Sequence, residues 1–359
     1  MGTSYRDRIK KPVDIIKQPW LDFQRLIAQV ICKLVCSRVK KRARPERIEK
    51  VLFIRRNRLG DAVNTLPALQ ALKLSCPDIE IHVLANKYNS IIYDNSPVVS
   101  KVYVIDEKWF LSKLTFFMNP VFKSVQSEKY DMVVGLGGYS SALAQLVLWS
   151  KGKYSVGPVS KKDTFYNLFF DQGVKPIEGK DQHHTEDMAA LVRAAGFNLS
   201  KKLPFPEIKG SETVDNGVIA ICPDVNRKQS EYSIENFEIL IRQLSQLEFI
   251  KKICLFLESE DSKYRKLEKE GVTWVKTDSV KSFIIELSKC QYAISTEGGS
   301  AHIASALGLY LVTISGMDHK TYWQPFGKNT SIIERHNNVN DIMPEEIIKQ
   351  MCLIKDEAI

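Results

Sequence analysis

An α/β architecture built of two similar halves is what this sequence predicts, and three observations predict it. From residue 50 onward, short apolar runs of strand length alternate with helix-length segments. The alternation pauses at a polar stretch holding Pro204 and Pro206 and then resumes. The most conspicuous polar junctions fall where a strand gives way to a helix, the place where parallel α/β domains gather ligands. Continuous apolar strands separated by helices belong to parallel sheets covered on both faces. Two such sets joined by a linker give two Rossmann-like domains facing across a cleft.

Size and composition agree. A chain of 359 residues has room for two domains of ~100–200 residues each. With 44% hydrophobic and 26% charged residues it reads as soluble and globular, and no apolar run reaches the ~18 residues that cross a bilayer. The basic N-terminus lacks the apolar core of a secretory signal. Seven cysteines (32, 36, 76, 222, 254, 290 and 352) are scattered without a CxxC pair, which favours reduced cytosolic thiols over disulfides or zinc.

The first element is a basic leader over residues 1–49. Residues 1–50 hold 14 Lys and Arg against 5 Asp and Glu, a surplus that equals the whole chain's +9 and leaves the other 309 residues balanced. That balance argues against nucleic acid as a partner of the main body. Phe23, Leu26, Ile27, Val30, Ile31, Leu34 and Val35 recur at three- and four-residue steps, one apolar stripe on a helix starting near Pro19. Lys33, Arg38, Lys40, Lys41, Arg42, Arg44 and Arg47 flank it. Residues 19–47 therefore suit an anionic membrane surface, each nearby base adding roughly 1 kcal/mol. The other reading is that the stripe docks on the protein's own surface or on a partner chain.

The first domain, 50–205, has strand-like runs at 51–56, 80–85, 101–106, 130–137 and 153–157, with helices such as DAVNTLPALQALKLS and SALAQLVLWS between them. Pro67 predicts a kink or a short first helix. The second, 206–340, has strands GVIAICPD, KKICLFLE, VTWVK, QYAIST and YLVTISG and helices IENFEILIRQLSQ, DSKYRKLEKE, SVKSFIIELSKC and SAHIASALG. A final helix, PEEIIKQMCLIK, lies within 341–359.

Three junctions carry chemistry-bearing residues. In RRNRLGDAVNTLPAL a strand ends in Arg55, Arg56 and Arg58, turns at Gly60 and starts a helix at Asp61. Asp61 is either a helix cap or a general base with arginines holding an anionic partner beside it. In ICPDVNRKQSEYSIENF, Asn226, Arg227, Lys228 and Ser230 precede a helix that Ser233 caps, a loop suited to phosphate oxygens or simply solvated. In STEGGSAH, Gly298 and Gly299 leave amide N–H groups open at a helix start, which favours a diphosphate. Glu297 would repel phosphate and suits sugar or ribose hydroxyls; a surface Glu with a capping His302 is the bland alternative.

These motifs in this order resemble glycosyltransferase family 9, the ADP-heptose:lipopolysaccharide heptosyltransferases. The resemblance runs from about residue 50 to about 335, through RLGDAVNTLPALQALK, DQHHTEDMAALVRAAGF and STEGGSAHIASALGLYLVTISG. It implies a GT-B fold and inverting, metal-independent transfer from a nucleotide sugar. By the same resemblance Asp61 deprotonates the acceptor hydroxyl, with Arg55, Arg58, Gly60 and Asn64 on the acceptor side. Thr296, Glu297, Gly298, Gly299 and His302 bind the donor, joined by Asn226, Arg227 and Lys228. The chain departs from the family where Glu297 replaces an aspartate and Gly298 a hydroxyl residue. In the middle loop, Ser230 and Tyr232 stand where the family has a lysine and a tryptophan. His183 and His184 belong to a family-like helix, where a structural role is expected.

The expectation is thus a glycosyltransferase with ADP-heptose as the first candidate donor, a lipid-linked oligosaccharide of the lipopolysaccharide core as acceptor, and no cofactor or metal. The chain lacks the Asp-x-Asp triplet that holds a divalent ion against a diphosphate. It would lie in the cytoplasm, peripherally on the inner membrane. A transferase using another nucleotide sugar, and a non-catalytic nucleotide-sugar or glycolipid binding protein, are the rival readings.

Overall fold

The computed structural model describes residues 27, 30, 41–56, 58–105, 119–161, 164–175, 182–211, 213–225, 227–317, 320–336 and 338–356. The apolar stripe of the leader lies outside the described residues except for Ile27 and Val30, and Asn226 lies outside them too.

Strands β1 (Lys50–Arg55), β2 (Glu80–Asn86), β3 (Lys101–Ile105), β4 (Met132–Gly135), β5 (Tyr154–Pro158) and β6 (Gln172–Val174) form one sheet in the order β3-β2-β1-β4-β5-β6. Strands β7 (Asp215–Cys222), β8 (Lys252–Leu255), β9 (Val272–Trp274), β10 (Cys290–Thr296), β11 (Tyr310–Ser315) and β12 (Thr330–Glu334) form a second, β12-β11-β10-β7-β8-β9. Every neighbouring pair is parallel. The windings are the same: in each half the first strand sits between the second and the fourth. The crevice beyond the carboxyl ends of those central strands is where such sheets bind ligands.

The helices are α1 (Leu59–Val63), α2 (Leu66–Ser75), α3 (Ser90–Asp94), α4 (Pro120–Ser127), α5 (Ser141–Ser150), α6 (His184–Ala194), α7 (Ile234–Leu244), α8 (Val280–Leu287), α9 (Gly299–Ala306), α10 (Lys320–Trp323) and α11 (Pro344–Asp356). The segment around TLPAL does divide, because Pro67 in the first turn of α2 has no N–H to continue α1. Ser233 caps α7 by accepting from the Asn236 amide. The expected helix over DSKYRKLEKE is instead a short 3-10 turn, Lys263–Leu267. Only Tyr264 and Leu267 are buried there, and that single three-residue step fits a 3-10 turn and gives no stripe for an α-helix.

The two halves meet through α1 and α9. Leu59, Ala62 and Val63 are buried on α1, and residues 301–306 are buried on α9. A Cβ built on Gly299 would sit 3.4 Å from that of Leu59. One apolar cluster therefore runs from Val51 and Leu66 of the first half into Ala293, Ala301 and Ile303 of the second. Each fully buried Val or Leu contributes about 1.5–3 kcal/mol, so this contact is part of the core. The linker adds to it, with Ile208 donating its N–H to the Ala306 carbonyl at 3.2 Å. Helix α11 packs on the second half through Ile347, Met351 and Ile354.

The end of the leader is tied to the first half. Arg42 donates from its backbone and its guanidinium to Asp171, at 2.9 Å and 2.7 Å, and to the Gly152 carbonyl at 2.5 Å. Burial alone would raise the Asp171 carboxyl, but the Arg42 hydrogen bonds bring it below the usual carboxylate range. Arg44 donates to the Ala195 carbonyl at 2.8 Å and stacks 5.7 Å from the Phe197 ring centroid. These two bases, grouped above with the membrane-facing cations, are engaged by the protein itself.

Candidate active site

Strand β1 delivers Arg55 to the switch point, its backbone in register with Ala85 of β2 and one residue past Ile54, which pairs Gly135 of β4. Its side chain is only 1% exposed, so its charge needs partners at once. One terminal nitrogen donates to the Leu136 carbonyl at 3.2 Å. The other lies 3.2 Å from Asp61 Oδ1 and 3.2 Å from His184 Nε2. Gly137 makes the room: its φ is +117°, and a Cβ there would fall 1.9 Å from that guanidinium. Asn86 at the end of β2 and Asn89 just before α3, both buried, hold the loop by donating to the carbonyls of Arg56 and Arg55.

Asp61 makes the capping contact its sequence allowed and also pairs with an arginine. As the third residue of α1 it accepts from the Arg58 backbone N–H at 3.3 Å through Oδ2, a capping contact. Its Oδ1 takes Arg55, and the side chain stays 14% exposed. A carboxylate has about four acceptor sites, so two firm contacts leave capacity for an incoming hydroxyl.

Behind Asp61 stands a group that sequence reasoning treated as structural. His184 Nε2 is 3.8 Å from Asp61 Oδ1. Its Nδ1 is 3.1 Å from Asp187 Oδ2 and 3.0 Å from the Tyr322 hydroxyl, and Trp323 covers the ring at 4.4 Å between centroids. Tyr322 also donates to Asp187. Burial alone would raise the Asp187 carboxyl, but the bonds from His184 and Tyr322 take it below its ordinary range. His183 caps α6 through Nδ1, which accepts from the Thr185 amide, and its Nε2 donates to the Gln324 carbonyl at 2.7 Å. The sequence signal was the HH pair itself; Asp187 lies one turn on, but Tyr322 and Gln324 come from far along the chain and left no local trace.

On the second half, Glu297 follows β10 and gathers the neighbouring strand ends. Arg227 donates to its Oε1 at 2.6 Å, and the Ser315 and Ser230 hydroxyls reach Oε2 at 2.8 Å and 3.4 Å. Ser230 in turn accepts from the Gly316 amide. The Arg227 side chain remains 40% exposed, and Lys228 is exposed. Gly298 is extended, with φ 170°, and a Cβ there would meet nothing within 4 Å. Helix α9 then begins, its first amides without carbonyl partners inside the helix. His302 packs against Gly60, whose added Cβ would lie 2.6 Å from its Cδ2. Burial pushes His302 down to about 4, with His183 adding to this and Asp61 opposing it. At neutral pH it is an uncharged imidazole, suited to hydrogen bonding and not to charge pairing.

The structure thus brings Arg55, Gly60, Asp61, Gly299 and His302 together, with Arg227 and Glu297 forming one pair. Arg58 is exposed beside them. Asn64 and Thr296, expected to touch ligands, are 0% exposed. Thr296 donates inward, 3.0 Å from the Asp224 carbonyl, and fixes the end of β7. Both stand behind any surface a ligand could reach. Tyr232 is also fully buried and donates to the Ile342 carbonyl. Among the described residues no group of three or more His, Cys, Asp or Glu converges as a metal site would.

Residues 118–349 match the family model of glycosyltransferase family 9 (heptosyltransferase), a span that holds the whole second-half site and begins after Asp61. The chain is 21% identical over 313 residues to lipopolysaccharide heptosyltransferase 1 of Escherichia coli K12, covering 81% of this chain and 96% of that one. Among solved structures it is similar to the family 9 glycosyltransferase of Veillonella parvula, with TM-score 0.74, 14% identity, and 86% and 98% of the two chains covered. It is also similar to E. coli heptosyltransferase WaaC with ADP, with TM-score 0.72, 17% identity, and 85% and 99% covered. The paired six-stranded sheets are accordingly the GT-B fold. From the match over most of its length, the chain belongs to glycosyltransferase family 9 and is a glycosyltransferase.

Proposed function

We propose that this enzyme transfers heptose from ADP-heptose to an acceptor of the lipopolysaccharide core, with inversion and without a metal. The observation that carries the proposal is the meeting of Asp61 with the α9 turn: the residue before the carboxylate touches His302, and Leu59 touches Gly299. A base and an anion-favouring helix start therefore face one small volume. The relatives' names, and the ADP in one solved relative, support the donor and acceptor classes.

In this reading Asp61 accepts the acceptor hydroxyl's proton as that oxygen bonds to the sugar's anomeric carbon. The bond from that carbon to the diphosphate breaks, and ADP leaves with the electron pair. The α9 amides, Arg227 and Lys228 stabilise the charge on the leaving diphosphate. Neutral His302 supplies a hydrogen bond at the same turn. The leader, through its stripe at residues 23–35, brings the enzyme to an anionic membrane surface on the cytoplasmic side, where a lipid-linked acceptor is reached.

One observation favours keeping a second donor in view: both Glu297 oxygens are already engaged, by Arg227 and Ser315. The test is ADP release by the full chain with a heptose-free core acceptor and a panel of nucleotide sugars. Turnover with ADP-heptose, an inverted linkage and insensitivity to EDTA are expected. Turnover only with another nucleotide sugar would overturn the donor. Asp61→Asn is expected to lose about 10²–10⁴-fold in kcat, and near-full activity in that variant removes the base.

A further inference from the structure

We propose that His184 is a positioning residue for Asp61, acting through Arg55, and that Asp187 and the second half's Tyr322 fix the tautomer in which it works. This rests on Asp61 being the base. Arg55 only donates, so His184 Nε2, 3.2 Å from it, must offer its lone pair. The imidazole proton therefore sits on Nδ1, 3.1 Å from Asp187 and 3.0 Å from the Tyr322 oxygen. Tyr322 gives its own proton to Asp187. A single arrangement gives each of these contacts a donor and an acceptor, and it leaves the second hydrogen of the same Arg55 nitrogen directed at Asp61 Oδ1, 3.2 Å away.

In the other tautomer an N–H would face an N–H across 3.2 Å, and the 1%-exposed guanidinium would have to turn, taking Asp61 with it. The tautomer thus decides where Arg55 holds the carboxylate. Arg55, Asp61, His184 and Asp187 all belong to the first half, whereas Tyr322 comes from α10, 138 residues beyond His184. The neighbouring bond from His183 to the Gln324 carbonyl fastens the same segment. Base orientation is thereby linked to the seating of α10 against α6, so a transferase open between its halves carries a less well oriented base.

Two measurements on the full chain test this. Long-range nitrogen–proton histidine spectra, assigned with His184→Gln, are expected to report the Nδ1–H tautomer for His184 and Nε2–H for His183; an Nε2–H His184 overturns the proposal. Kinetics of ADP release from ADP-heptose are expected to show His184→Ala reduced about tenfold to a hundredfold in kcat with donor KM within about twofold. His184→Gln, whose amide oxygen can still accept from Arg55, should recover most of that loss. Tyr322→Phe, which removes one oxygen and keeps the ring, should lower kcat in the same sense and cover the case in which His184→Ala fails to fold. Unchanged kcat in His184→Ala and Tyr322→Phe, beside an inactive Asp61→Asn, overturns the positioning role alone. An active Asp61→Asn overturns the base and this role together.

Discussion

Gly60 and His302 touch across the two halves: a Cβ on the glycine would fall 2.6 Å from Cδ2 of the imidazole. His302 is 8% exposed and cannot swing clear. Gly60→Ala is therefore expected to destabilise the protein by about 1–3 kcal/mol through overpacking. It should also lower transfer by more than tenfold, because Asp61 is the next residue. Urea unfolding and kcat measure the two effects. Adding His302→Ala should return most of the stability and little of the activity; a single variant as stable as the parent would refute the contact.

Acid should weaken the fold through the same histidine. Its folded value is about 4 against 6.5 for a free histidine, with burial as the main cause. The unfolded chain therefore takes up more protons between those two values, and stability falls as pH drops from about 6.5 toward 4. A lowering of that size corresponds to at most roughly 3 kcal/mol. His183, also lowered by burial, acts in the same direction. The loss in unfolding free energy between pH 7 and pH 5 is expected to be smaller in His302→Gln than in the parent chain. Equal losses would remove His302 as a source.

The sheets were readable in the chain because strands such as VLFIR and VIAIC are buried along nearly their whole length, and the pattern needs no partner to be seen. Edge strands β6 and β12 were not, since QGV is three residues long and each position of TSIIE is half-buried. Asp61 was visible as an acid at a helix start, whichever role it served. The work of His184 was not visible, because it is defined by Arg55, Asp187 and Tyr322 converging in space. Nor did residue type reveal that Asn64 and Thr296 face inward, which periodicity cannot decide on a five-residue helix or the last residue of a strand.

Neighbouring glycines after β4 offer an internal control. Gly137 has φ +117° and an added Cβ would overlap the Arg55 guanidinium at 1.9 Å, whereas one on Gly138 meets nothing within 4 Å. Gly137→Ala is expected to cost more than about 1 kcal/mol from backbone strain alone and to displace Arg55, with kcat falling alongside. Gly138→Ala should leave thermal stability within about 0.5 kcal/mol of the parent. Equal behaviour of the two variants would contradict the packing around Arg55.

Gly298 lies extended, where any residue is allowed, and the space beside it is open. Gly298→Val should therefore fold normally, with an unchanged melting temperature. If that space receives the donor, ADP affinity should weaken by tenfold or more, about 1.4 kcal/mol, read by calorimetry. Unaltered ADP binding would move the diphosphate away from this turn.

Arg42 and Arg44 divide the leader into two parts with different expected behaviour. Arg42 is held by Asp171 and the Gly152 carbonyl, and Arg44 by the Ala195 carbonyl, so both guanidiniums already have partners on the folded body. Removing residues 1–40 should then leave unfolding unchanged while abolishing sedimentation with anionic vesicles, because the apolar stripe and the bases beside it go together. Arg42→Ala should do the reverse. It leaves the buried Asp171 carboxylate without its main partner, costing on the order of 1–3 kcal/mol, and vesicle binding of the full chain should stay within about twofold. Salt separates the terms further, since attraction between exposed bases and anionic lipid is screened over about 8 Å at physiological ionic strength, whereas a direct pair with a carboxylate only 4% exposed is screened less. Persistence of vesicle binding after removal of residues 1–40 would transfer any membrane contact to the folded body.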